Sequence, residues 1–180
     1  GHKGMVGSSL TKRLLKSGHK NLLVAGREHV DLTLQEDVNL FIKSNSPKVV
    51  VICAAKVGGI LANNTYRGQF LYNNLQIATN IIQASHENNV EKLIFLGSSC
   101  IYPKECKQPI KEEYLLTSSL EYTNEPYAIA KIAGLKMCES YYQEYGDNFY
   151  SVMPCNLFGE NDNFDLKTSH VLPALIRKAH

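Results

Sequence analysis

The chain has 180 residues, 44% of them hydrophobic and 20% charged, a composition that suffices for one buried core and excludes a disordered segment. Its longest unbroken apolar run, residues 49–55, covers seven positions, against the roughly 20 that a membrane-spanning helix needs. Nineteen basic and seventeen acidic side chains leave a net charge of +2 with no basic block, which argues against nucleic acid and membrane surfaces as partners.

The chain opens on Gly1, Gly4 and Gly7, spaced G-x-x-G-x-x-G at the start of a helical pattern carried by Val6, Leu10 and Leu14 and closing near Gly18. Glycines there let backbone N–H groups approach a pyrophosphate at a helix N-terminus. The stretch Gly1, Lys3, Gly4, Met5, Val6 and Gly7 is therefore a candidate cofactor loop, although the same spacing also suits an ordinary glycine turn. A central strand normally feeds such a loop. Since the sequence starts on the loop itself, the chain reads as an excerpt of a longer protein.

Residues 22–25 form the next strand pattern and run into Gly26-Arg27. An acidic residue at that point favours the free ribose hydroxyl of NAD, whereas Arg27 suits a 2′-phosphate. Lys3 adds a second positive charge, and Glu28 keeps NAD open. Thr33-Leu-Gln-Glu36 fits a capping box at a helix start. Strand patterns follow at 49–54, 93–97 and 150–153, reading as buried parallel strands. Between them run a helix with Leu71, Leu75, Ala78 and Ile82 on one face and another from Pro126 toward Gly146; a last helix covers 171–180. Alternating strands and helices predict an α/β fold, a Rossmann-like doubly wound parallel sheet. Five cysteines without a Cys-x-x-Cys pair argue for reduced thiols in a cytoplasmic setting and against a metal site.

Tyr127 and Lys131 stand four residues apart on one helix face. A lysine charge beside a phenol lowers its pKa, so the phenol can exchange a proton with a carbonyl oxygen near neutral pH. Such pairs are common by chance. What gives this one weight is its place after the strand 93–97, whose end carries Ser98, Ser99 and Cys100, because strand carboxyl ends converge on the ligand crevice of a parallel sheet. Ser98 there can bond the same carbonyl oxygen.

Gly1-His-Lys-Gly-Met-Val-Gly7, Ala54-Ala-Lys-Val-Gly-Gly-Ile60, Gly97-Ser-Ser-Cys-Ile-Tyr-Pro103, Asn124-Glu-Pro-Tyr-Ala-Ile-Ala-Lys-Ile-Ala-Gly134 and Ser169-His-Val171 together resemble the GDP-L-fucose synthases of the extended short-chain dehydrogenase/reductase family. The likeness runs through essentially the whole chain. It implies NADPH-dependent epimerisation at C3 and C5 and reduction at C4 of a GDP-linked 4-keto-6-deoxy sugar. By motif it implies Ser98, Tyr127 and Lys131 as the reductive triad, Cys100 and His170 as epimerisation base and acid, and contacts to NADP from Ala54, Ala55, Lys56, Lys131, Pro154, Asn156, Leu157 and His170. Ser98, Cys100, Asn156 and Lys178 would touch the sugar nucleotide. The resemblance also implies a homodimer through the helices 70–89 and 127–145, with residues 1–165 as the NADP-binding domain and 166–180 opening the substrate region. Two departures stand out: Cys155 where threonine is common, and Lys3 where arginine is, and lysine lacks the bidentate fork. A C4-reductase on a related GDP-sugar, such as a heptose, and a non-catalytic NADP-binding module are the alternatives. For a thiol to act as the base, a cation or helix dipole must lower its pKa.

Overall fold

The structure, a computed structural model, describes residues 1–166 and 168–180; Lys167, within the stretch expected to open the substrate region, lies outside the described residues. Three strands, β1 (Val49–Ile52), β2 (Lys92–Leu96) and β3 (Phe149–Val152), pair in parallel in that order. Val51 stands opposite Ile94, and Phe95 opposite Ser151. Parallel neighbours need long crossovers rather than tight turns. Here α4 (Arg67–Glu87) joins β1 to β2 and α5 (Glu125–Tyr145) joins β2 to β3, with α2 (Gln35–Asn45) lying against α4. The core is one cluster: Val38 and Ile42 of α2, Ile77, Ile81 and Ile82 of α4, Cys138 of α5, and Ile52, Leu93, Phe95 and Phe149 of the sheet. Gly134 sets the approach of α5, since a Cβ there would come within 2.5 Å of the Phe95 ring. The N-terminal turn of α5 is thereby drawn toward the carboxyl end of β2.

The remaining helices are α1 (Met5–Lys16), a short α3 (Ile60–Thr65) that the sequence pattern does not announce, and α6 (Val171–Ala179). As expected, α5 has Pro126 in its first turn and stops at Gly146, whose φ of 76° suits a residue without a Cβ.

Four expectations change in detail. The strand pattern at 22–25 joins no ladder, because among the described residues β1 pairs only with β2 and nothing hydrogen-bonds beside 22–25. The strands are buried on one face only: Leu93 and Phe95 are buried, but Tyr150 and Val152 on the opposite face stay 51% and 43% exposed. The capping box does not form. Instead the Thr33 amide and hydroxyl both donate to the Asp31 carboxylate, at 2.9 and 2.7 Å, and α2 starts with Leu34 as an uncapped N-cap; a local turn has outcompeted the helix start. Finally, the buried stripe of α4 runs through Phe70, Asn74, Ile77, Ala78, Ile81 and Ile82, leaving Leu71 and Leu75 half-buried.

Candidate active site

The chain leaves β2 through Gly97, where a Cβ would collide with the Met153 side chain, and turns at Ser98 into a single 3₁₀ turn, Ser99–Ile101. Ser98 caps that turn by accepting a weak bond from the Cys100 amide at 3.5 Å. Tyr127 and Lys131 project from the first turns of α5 onto the same spot. Lys131 is only 5% exposed. Its ammonium donates to the Leu96 carbonyl at 2.7 Å and lies 4.9 Å from the Phe95 ring centroid and 5.6 Å from that of Tyr127. A buried ammonium needs such partners. The carbonyl and the two ring faces supply them only in part, so burial lowers the Lys131 pKa to about 8, despite the opposing pull of Cys100 and Cys53.

The electrostatics of the phenol differ from the expectation that Lys131 lowers it. Burial pushes the Tyr127 hydroxyl well above its ordinary value, the neighbouring Cys100 adds to the rise, and the Ser98 hydroxyl opposes it. The physical reason is that the Lys131 charge is engaged by Leu96 and Phe95, while desolvation acts on the phenol directly. At neutral pH the phenol is therefore a loaded proton donor. The Cys100 thiol is likewise raised by burial, against smaller downward pulls from Ser98 and Lys131. The lowered thiol that base chemistry favours is not what the fold provides.

The glycine loop lies beside the end of β1. A Cβ on Gly1 would sit 2.3 Å from the Cys53 carbonyl carbon, and one on Gly7 would sit 2.2 Å from the Gly1 oxygen, so packing alone demands both glycines. Gly4 differs. Its nearest obstacle to a Cβ is the Gly1 oxygen at 3.5 Å, so it is glycine for a reason other than internal packing. It forms the N-cap of α1, which has neither a side-chain cap nor an acidic residue in its first turn. An open glycine at an uncapped helix start fits a pyrophosphate. Arg27 is exposed beyond the 22–25 segment, while Lys3 pairs with Glu28 at 3.6 Å across solvent.

Ala54, Ala55 and Lys56 continue from β1 between the glycine loop and α4, half-buried. Pro154 is half-buried after β3, whereas Cys155, Asn156 and Leu157 are exposed. His170 is the exposed N-cap of α6. Its segment is anchored near the site because the Gly59 amide donates to the Thr168 carbonyl at 2.8 Å, and Gly59 leaves room for the Ser169 carbonyl. Among the described residues no hydrogen bond or ion pair joins His170 to Ser98, Cys100, Tyr127 or Lys131. Lys178 lies exposed in the last turn of α6. An apolar cleft between Phe158, Phe164, Leu172 and Ile176 is lined by none of these residues. Cys138 is buried and its thiol pushed to about 11, and Cys106 is half-buried, in keeping with structural roles. Cys53 stands beside Gly1 and feels the Lys131 charge.

One residue that sequence reasoning passed over is Asn74. Only 4% exposed, it accepts from the Lys56 amide at 2.7 Å and donates to the Lys56 carbonyl at 3.0 Å, clipping the loop after β1 to α4. A polar residue on the apolar stripe of a helix was the available signal.

A parallel βαβ sheet with an open glycine at the start of α1, and a serine, a tyrosine and a lysine gathered at the end of β2, defines a nucleotide-binding fold of the Rossmann type. The chain belongs to the NAD dependent epimerase/dehydratase family, which it matches over residues 1–180. It is 58% identical to a GDP-L-fucose synthase of Sinorhizobium fredii and 53% identical to that of Escherichia coli, in each case over all of this chain and 57% or 56% of the relative. It is also similar to a GDP-mannoheptose C4 reductase of Campylobacter jejuni solved with NADP bound, at 46% identity and a TM-score of 0.92 over 99% of this chain and 53% of that one. The chain thus spans little more than half the length of these relatives. No helix among the described residues is long and apolar enough to cross a membrane.

Proposed function

We propose that this chain carries the cofactor-binding and reactive half of an NADPH-dependent enzyme that converts GDP-4-keto-6-deoxy-D-mannose to GDP-L-fucose. The observation that carries the reading is the convergence of Ser98, Tyr127 and Lys131 at the end of β2, beside an open glycine loop, in a chain 58% identical to a GDP-L-fucose synthase. The loop Gly1 to Gly7 holds the pyrophosphate, Arg27 the 2′-phosphate, and Ala54, Ala55, Lys56, Pro154, Asn156 and Leu157 flank the nicotinamide half. Bound there, NADPH supplies a hydride for C4. Ser98 bonds the C4 carbonyl oxygen, Tyr127 delivers a proton to it, and Lys131 keeps a positive charge below them. Cys100 and His170 exchange the protons at C3 and C5, which the ketone acidifies, and Lys178 meets the diphosphate. Residues 1–165 act as the NADP domain and 166–180 lead into the substrate region. Two copies pair through α4 and α5, whose outer faces leave Tyr72, Ile129 and Tyr142 exposed.

The test is to incubate the full-length protein with GDP-4-keto-6-deoxy-mannose and NADPH in D₂O and to identify the product by NMR. GDP-L-fucose deuterated at C3 and C5 supports the reading; absence of NADPH oxidation overturns it. A second reading, reduction at C4 alone, is favoured by the raised Cys100 thiol, which among the described residues shares no hydrogen bond or ion pair with His170, and by the likeness to a C4 reductase. It gives a product without solvent deuterium.

Because burial raises the Cys100 thiol, its thiolate fraction climbs with pH throughout the neutral range. Exchange at C3 and C5 is expected to accelerate about tenfold per pH unit there, and Cys100→Ala is expected to abolish exchange while permitting slow C4 reduction. Exchange that persists in the variant clears the thiol of this role. For the cofactor, Arg27→Asp is expected to narrow or reverse the ratio of kcat/KM for NADPH over NADH, losing about tenfold or more, since a charged hydrogen bond to phosphate is worth about 1.5–3 kcal/mol. An unchanged ratio places the phosphate contact elsewhere.

A further inference from the structure

Arg67, the first residue of α4, reaches across to the start of α5. One guanidinium nitrogen donates to the Tyr122 carbonyl at 2.5 Å, another meets the Glu125 carboxylate at 3.1 Å, and the guanidinium carbon lies 4.2 Å from the Tyr122 ring centroid. One planar fork thus holds a main-chain oxygen, the first residue of α5 and an aromatic face, a combination that fixes direction as well as distance. The pair is not fully exposed: the Arg67 and Glu125 side chains are 28% and 39% accessible. The start of α5 needs this help. Its N-cap, Asn124, makes no side-chain cap bond, and among the described residues its buried side-chain oxygen has no hydrogen-bond partner. From the other side, Glu121 is tied to Lys104 at 3.0 Å and accepts from Thr123. Tyr127 stands only two residues beyond Glu125, in the turn whose first bond runs from the Ala128 amide to the Asn124 carbonyl at 3.0 Å.

We infer that Arg67 is a positioning residue, which sets the place of the Tyr127 hydroxyl by clamping the first turn of α5. The inference rests on the reading of Tyr127 as the proton donor. A donor displaced by about 1 Å can cost up to 10²-fold in rate, and a turn held at one end by Arg67 loses part of that constraint when the clamp is removed. The loss falls on the chemical step, because neither the glycine loop nor the core takes part in the clamp.

The experiment compares Arg67→Ala, Arg67→Lys and Glu125→Ala in the full-length protein, with Lys48→Ala, which breaks the remote Lys48–Glu91 pair, as a control. Arg67→Ala is expected to lower kcat for NADPH oxidation about tenfold, leave KM for the sugar nucleotide and the Kd for NADPH unchanged, and quicken hydrogen exchange at the Ala128 amide. Arg67→Lys should recover only part of kcat, since a point charge reaches Glu125 without the fork. Added guanidinium ion should restore part of the activity of Arg67→Ala and none in the control. Adding Glu125→Ala to Arg67→Ala should cost less than it does alone. Unchanged kcat, unchanged exchange at Ala128, or a fall in kcat that is matched by lost NADPH affinity overturns the inference. If Tyr127→Phe oxidises NADPH at the wild-type rate, the proton-donor reading fails instead. Exchange at Ala128 still decides whether Arg67 holds the turn.

Discussion

Tyr127→Phe is expected to lower kcat for NADPH oxidation by about 10²–10⁴-fold, the range for a positioned general acid, while NADPH binds as before. The substitution deletes one oxygen and keeps the ring that lies beside the Lys131 ammonium, so packing is retained. The hydroxyl's side-chain neighbour Ser98 lies at the end of β2 and outside the glycine loop, so the loss is not carried to the cofactor loop through it. Since burial holds the phenol above its ordinary value, it remains protonated through neutral and mildly alkaline pH. Reduction by the wild type should therefore show no alkaline decline from the phenol itself; a decline near pH 8 would instead track Lys131 losing its charge. Stopped-flow measurement of NADPH absorbance, with binding followed separately by fluorescence, reads both quantities. Wild-type turnover in the variant would remove Tyr127 from the mechanism.

Lys131→Met is expected to lower kcat by a similar factor, because the positive charge proposed to lie below Ser98 and Tyr127 is lost, without a loss of stability at pH 7. Moving the Lys131 pKa from 10.5 to about 8 means that the folded protein carries a buried charge at a cost of about 3 kcal/mol. Methionine removes that cost and fills similar space, at the expense of leaving the Leu96 carbonyl without its donor, which costs about 1–3 kcal/mol. The two nearly balance, with any net change toward greater stability. The pH dependence fixes the sign. Between about pH 8 and 10.5 the unfolded chain holds the Lys131 proton and the folded chain does not, so wild-type stability gains a contribution as pH rises through that window. The variant lacks this contribution. Denaturant unfolding at pH 7 and pH 10 should show the advantage of the variant shrinking between them; a variant much less stable at pH 7 would mean that the ammonium stabilises the fold.

Much of this architecture is readable from neighbours in the chain. Pro126 in the first turn and Gly146 at the end bound α5 because proline suits a helix start and glycine a left-handed stop. The apolar runs at 49–54, 93–97 and 150–153 become β1, β2 and β3 within a residue or two at each end. Ser98, Tyr127 and Lys131 could be singled out as candidates because the chemistry proposed for them depends on residue type and on place relative to a strand end. Harder to read were features decided by competition. Thr33 had two local partners, and Asp31 won it over the helix start. The stripe of α4 admitted Asn74 because the backbone of Lys56, 18 residues earlier, offered it both a donor and an acceptor.

Spacing along the backbone and the conformational limits of glycine and proline were enough to read the glycine loop, the alternation of strands and helices, and Ser98, Tyr127 and Lys131 as a candidate trio. The tertiary packing, by contrast, raises the phenol and the thiol rather than lowering them and brings the lysine down to about 8. It alone revealed that Arg67 grips a helix start 58 residues away. Desolvation depends on how many atoms from every element surround a group, and a clamp depends on where two distant helices come to lie, so neither quantity is written in any local stretch of residues.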